Sequence, residues 1–188
     1  REELDAINAI AGEKGLKQAI LLRLTPGIDP HTHRAIMTGN VDSKFGSAIV
    51  TGQAMEIVKE HEIDPKKVVI CHVDVENRED YIFELLEMGV YVEFDNFGKE
   101  NDVEPWDIRP GNGPFVTDRE RVALIKKIID RGYVKQLLFS TDICLKSLLH
   151  SYGGWGYDHV ITNILPVLRY MGITQEQIDE IMIHNPAR

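Results

Sequence analysis

Val68-Val69-Ile70-Cys71-His72 is the stretch on which the fold turns. Three β-branched residues in a row, punctuated upstream by Asp64-Pro65 and followed by an amphipathic run from Arg78 to Met88 with Gly89 behind it, read as a buried strand leading into a helix. Working outward, the same unit recurs. Val90-Tyr91-Val92-Glu93-Phe94-Asp95 is a strand, a long Pro- and Gly-rich loop follows, and Asp118 is expected to cap a helix that runs to Arg131-Gly132. Gln136-Leu137-Leu138-Phe139-Ser140 is the next strand, and helices over 158–171 and 175–183 follow it. Upstream, Ala19-Ile20-Leu21-Leu22-Arg23-Leu24 is a strand preceded by a helix over 2–13, with Leu4, Ile7 and Ala11 at helical spacing. Ile28 to Ser47 is expected to be a long loop, and 52–61 a further helix.

Strands alternating with helices of this length imply parallel strands joined by crossovers, hence an α/β fold. Four such βα units make half of a TIM-type (βα)8 barrel. A second copy of the chain is expected to complete it as a homodimer, because a half-barrel exposes two strand edges; an open parallel sheet is the second choice. The 188 residues are read as a single α/β domain.

Composition narrows the function. The chain is 43% hydrophobic and 27% charged with a formal charge of −9, a balance that suits a globular domain and not a nucleic-acid surface. The longest strongly apolar run is too short for a membrane span, and no signal-peptide pattern stands at the N-terminus, so a cytoplasmic protein without a membrane partner is expected. Cys71 and Cys144 are too far apart in sequence for a Cys-x-x-Cys pair and are expected to be free thiols.

Candidate chemistry lies where strands end, the side of parallel α/β folds on which ligands bind. His72 and Asp142 each close a strand, and an imidazole with a carboxylate suits zinc or manganese, while Asp142 can also serve as general base; a cap on the following loop is the alternative. Asp95 ends the strand between them, although Asp95-Asn96-Phe97-Gly98 is also good turn chemistry. His31-Thr32-His33 lies beyond Pro26-Gly27 and Asp29-Pro30, in a turn, and is read as an incidental pair; Lys44 is read as a solvated loop lysine.

From about Ile63 onward, five ordered motifs resemble the phosphotriesterase-related proteins of the amidohydrolase superfamily. They are residues 69–74 (VICHVD), 91–99 (YVEFDNFGK), 140–143 (STDI), 153–158 (GGWGYD) and the terminal Asn185-Pro186-Ala187-Arg188. The resemblance implies a barrel whose sixth to eighth strands are the last three here. It also implies that His72 matches a metal ligand and that Asp142 matches the aspartate that binds metal and takes the proton from the attacking water. Residues 1–62 instead resemble the barrel domain of diaminopimelate decarboxylase, through Leu22-Arg23-Leu24-Thr25-Pro26-Gly27-Ile28-Asp29-Pro30-His31-Thr32-His33 and Asp42-Ser43-Lys44-Phe45-Gly46. That segment lacks the family's cofactor lysine, so pyridoxal phosphate is not expected. Two barrel families joined between a helix and a strand point to an engineered or recombined half-barrel scaffold without native activity. The alternative is a metal-dependent hydrolase of phosphoesters, lactones or related esters, with His72 and Asp142 as metal ligands and Asp142 as the catalytic base.

Overall fold

The computed structural model describes residues 2–18, 24–25, 47–48, 63–100 and 116–188. The chain divides into two compact units, Arg1–Ile63 and Asp64–Arg188.

In the first unit, helix α1 spans Glu2–Glu13. Leu4 and Ala11, at the predicted spacing, are its half-buried residues, whereas Ile7 and Ile10 are exposed. Strand β1, Leu24–Thr25, pairs in parallel with β2, Ser47–Ala48. Ser47 was expected to belong to a loop; it is instead registered against Leu24, because parallel pairing is decided by a partner far away in sequence. The paired histidines His31 and His33, Lys44 and the helix expected over 52–61 lie outside the described residues.

The second unit is built on a three-stranded parallel sheet of β3 (Val69–Ile70), β4 (Tyr91–Phe94) and β5 (Leu137–Phe139), in the order β3-β4-β5. Strands that neighbour one another in sequence order suit an arc of a barrel and equally one wing of an open sheet. The register sets Ile70 beside Val92 and Val92 beside Leu137, and this row is essentially dry. The opposite face carries Val69, which is exposed, and Glu93 and Cys71, which are half-buried. Alternation of side chains across the sheet separates an apolar face from a face with chemistry on it.

Helix α2 (Glu79–Glu87) connects β3 to β4 and buries Ile82, Leu85 and Leu86. It ends where Gly89, at φ +87°, donates its N–H to Leu86 O, a left-handed terminator that a residue with a Cβ adopts only with strain. Helix α3 (Asp118–Asp130) precedes β5 and buries Val122, Ile125, Ile128 and Ile129. The cap is Thr117 and not Asp118: Thr117 Oγ1 accepts from the Glu120 N–H while the Glu120 carboxylate reaches back to the Thr117 N–H, a reciprocal capping box. Asp118 is thereby released from capping, and its carboxylate is used elsewhere.

After β5 the chain closes with α4 (Leu165–Tyr170), entered through a π-helical stretch Val160–Ile164, and α5 (Gln175–Asp179), which continues into a second π stretch, Glu180–His184. Leu168, Ile178 and Ile181 from these segments complete the core. No helix among the described residues is long and apolar enough to cross a membrane. Both cysteines are free thiols.

Candidate metal centre at the strand ends

The strands stop sooner than their hydrophobic runs. β3 ends at Ile70 and β5 at Phe139, so His72 and Asp142 stand beyond the last paired residue and not on it. Both turn into left-handed backbone, at φ 59° and 39°; Asn77 is the one other non-glycine residue with positive φ among the described residues. A non-glycine residue pays roughly 1–3 kcal/mol for such a conformation and keeps it only where its surroundings hold it there.

Those surroundings are specific. The His72 N–H donates to Asp95 Oδ2 at 3.2 Å, and His72 Nδ1 lies 2.7 Å from the same oxygen. The oxygen sits off the direction of the ring N–H, so the ring contact is an ion-pair approach and not an aligned hydrogen bond. Contact with Asp95 raises the His72 pKa above its ordinary value, against burial, which lowers it. Burial pushes Asp95 up to about 7, with His72 opposing the shift and Asp74 adding to it. Asp95, the turn candidate, is therefore the group that orients His72.

Asp142 is reached from the other side. Lys99 Nζ donates to Asp142 Oδ2 at 2.5 Å and to Asn96 Oδ1 at 3.1 Å. The Asp142 side chain is 43% exposed and the Lys99 side chain 15%, so the lysine rises from within the site to meet a carboxylate at its rim. Both Asp142 and Lys99 act electrostatically on His72, which brings the two predicted site residues into one field.

Beneath lies a polar layer whose roles sequence patterns did not assign. Asp74 is fully buried and accepts from the Asn96 N–H at 3.0 Å, from Asn96 Nδ2 at 2.8 Å and, more weakly, from the Asp95 N–H at 3.4 Å. Arg121 is also fully buried, and its Nε donates to Asp74 Oδ2 at 2.8 Å. Its Nη1 donates to Asp118 Oδ1 at 3.0 Å. Asp118 further accepts from the Gly98 N–H and lies 2.6 Å from His159 Nε2. The amide of Asn163 meets the other ring nitrogen of His159 at 3.0 Å, which suits the tautomer with its proton on Nε2. Trp155 stacks against that ring at 4.8 Å between centroids. Gly98 has φ +79°, and a Cβ there would come within 3.1 Å of both Trp155 and His159. The one available signal was Asp74, an acid set between Val73 and Val75; Asp118 and Arg121 stand in the charged run 118–121, which gives no hint of burial.

A second cluster has ligand chemistry: Cys71, Glu93 and Asp95 offer donor atoms within 4.8 Å of one another. Burial, reinforced by the hydrogen bond to Glu93, pushes the Cys71 thiol far above its usual range. A metal bound there would have to displace that proton, since the thiolate is the ligating species.

For a divalent ion, His72 and Asp142 have suitable donor chemistry. A carboxylate behind one imidazole nitrogen orients the ring and leaves the other, Nε2, to ligate, and Nε2 has no hydrogen-bond partner among the described residues. Two protein donors are fewer than the three or four zinc ordinarily takes, so the pair fits as part of a ligand set.

Residues 32–188 match the Phosphotriesterase family. The match begins upstream of the seam expected near residue 63. The chain is 29% identical over 136 residues to the phosphotriesterase homology protein of Escherichia coli, covering 72% of this chain and 42% of that protein. It is 36% identical over 140 residues to N-acetyltaurine hydrolase of Danio rerio, covering 72% and 38%. Among solved structures, the Escherichia coli phosphotriesterase homology protein with phosphate in its active site superposes with a TM-score of 0.61 at 29% identity, covering 71% of this chain and 42% of that one. Organophosphorus hydrolase from Deinococcus radiodurans gives 0.58 at 29% identity, covering 72% and 41%. The chain thus spans about two-fifths of the length of these relatives.

Proposed function

The chain belongs to the phosphotriesterase family, and from that premise we propose that it carries part of a metal-dependent hydrolase site, with His72 as a ligand to zinc or manganese and Asp142 as ligand and general base. The observation that carries this reading is the backbone: the two residues singled out by strand-end position both hold left-handed conformations. Strain maintained at two separate strand ends is what a site that must aim its side chains requires.

A divalent ion held there supplies a Lewis acid that polarises the scissile group and lowers the pKa of water. The chain's own residues do the rest. Asp95 holds the His72 backbone and sets its carboxylate beside Nδ1, which leaves Nε2 for the ligand role. Lys99 holds Asp142 through Oδ2, leaving Oδ1 to accept the proton of the attacking water. The substrate class is a phosphoester, lactone or related small ester, and the name of the Danio rerio relative extends the range to an N-acyl substrate.

A second reading, a recombined half-barrel scaffold without activity, is favoured by one observation: the two compact units divide at Ile63, where the decarboxylase-like segment was expected to end. Metal analysis with esterase and phosphoesterase assays separates the two. Purified protein loaded with zinc or manganese is expected to retain it through dialysis, and Asp142→Asn to lose both metal and turnover. If less than about a tenth of an equivalent stays bound and Asp142→Asn changes nothing, the hydrolase reading is wrong.

A further inference from the structure

We infer that Asp74, clamped by Arg121, is a positioning residue that sets both His72 and Asp142 through the single side chain and backbone of the Asp95-Asn96 turn. This rests on the reading of His72 and Asp142 as ligands, but the geometry behind it stands without an ion.

One carboxylate controls two branches. In the first, Asp74 accepts from the N–H groups of Asp95 and Asn96, which fixes the backbone just past β4. Asp95 leaves that backbone and meets His72 at both its N–H and Nδ1. In the second, Asn96 Nδ2 donates to Asp74 Oδ1 at 2.8 Å and to Asp95 Oδ1 at 2.8 Å. Both protons of that amide are thereby consumed by carboxylates. The amide cannot be flipped without aiming its carbonyl at two acidic oxygens, so Oδ1 has to face the other way, where Lys99 Nζ meets it at 3.1 Å. Lys99 in turn holds Asp142. The orientation of one amide, dictated by the charge on Asp74, places the lysine that holds the rim carboxylate.

Arg121 explains how Asp74 keeps a charge where no water reaches it. Both side chains are wholly buried, and a carboxylate left there without its cation would bear the full cost of desolvation. Arg121 comes from the start of α3, so that helix is tied directly to the site. Its Nη2 is buried without a partner, so the guanidinium is held for its Nε and Nη1 contacts at the expense of its third nitrogen.

The test compares the full chain with Asp74→Asn, Arg121→Lys and, as a destabilising control remote from the site, Leu168→Ala, which empties a fully buried position on α4. Two readouts are taken well below each protein's melting temperature. The first needs no metal: ring nitrogen and proton signals of His72 in 15N-labelled protein. Wild type and Leu168→Ala are expected to share one set of His72 shifts and one tautomer, whereas Asp74→Asn and Arg121→Lys move both. The second is cobalt(II) titration followed by its visible absorption. Asp74→Asn is expected to weaken binding by roughly 10- to 100-fold, the range for losing an outer-shell partner, with Leu168→Ala within twofold of wild type. Unchanged His72 signals in a folded Asp74→Asn or Arg121→Lys variant overturn the inference. Wild type that shows the His72 effect but binds no cobalt refutes the hydrolase reading and leaves the positioning role supported.

Discussion

Replacing Asn185 by Ala tests how the terminal Asn-Pro-Ala-Arg segment is tied to the sheet. Asn185 is 4% exposed, and its Nδ2 donates to Val134 O at 2.9 Å and to Leu137 O at 2.8 Å. Both acceptors flank the entry into β5, whose Leu137 is registered against Val92 in the dry face of the sheet. Alanine leaves the Leu137 carbonyl without its side-chain donor, whereas Val134 O keeps the Leu137 N–H. A buried group stranded in this way costs about 1–3 kcal/mol, and that is the loss expected here. Arg188, whose Nη1 donates to Asn185 Oδ1 at 2.7 Å, is 43% exposed at its side chain, so Arg188→Ala is expected to cost much less than Asn185→Ala. Urea unfolding followed by tryptophan fluorescence reads both, since Trp155 falls in the second unit. With a slope of about 2 kcal/mol per molar urea, Asn185→Ala moves the midpoint down by about 0.5–1.5 M. A loss below about 0.5 kcal/mol, or one matched by Arg188→Ala, would refute the argument that the amide staples β5.

Three further outcomes are expected. Thr117→Ala removes one half of the capping box and costs about 1 kcal/mol at neutral pH; the backbone and side chain of Thr117 hold the Glu120 pKa below its ordinary 4.5, so the contribution of that carboxylate is complete above about pH 4.5 and is lost as pH falls through the lowered folded value, which unfolding curves between pH 7 and 3 will show as a shrinking gap between variant and wild type. Gly98→Ala is expected to destabilise by about 1–2 kcal/mol and to shift Trp155 emission, because a Cβ at φ +79° meets Trp155 and His159; unchanged fluorescence would contradict the placement of that loop. Light scattering is expected to return twice the mass of one chain, since β3 and β5 each have one paired neighbour among the described residues; a stable monomer would sink the homodimer.

Local pattern carried most of the secondary structure. The apolar runs around Ile70, Val92 and Leu137 became strands, and the turn residues Gly89 and Gly132 ended helices, because burial and backbone freedom are decided within a few residues. Where the reading failed, a distant partner intervened. Ser47 became a strand residue by pairing with Leu24, and Asp118 lost its cap role to Thr117. Asp118 looked like a cap because the same residue types serve as caps and as ion-pair partners; only the approach of Arg121, Gly98 and His159 reveals which.

The site divides in the same way. From the sequence alone, strand-end position singled out His72 and Asp142, and turn chemistry left Asp95 between two readings. Residue order also determined the α/β alternation and the free cysteines. What only the tertiary structure decided was the left-handed backbone at both residues, the service of Asp95 to His72, and the buried Asp74–Arg121 pair that joins them. The physical reason is range. Hydrophobic periodicity is written in neighbours along the chain, whereas a buried charge declares itself only through the opposite charge that folding brings to it across 47 residues of sequence.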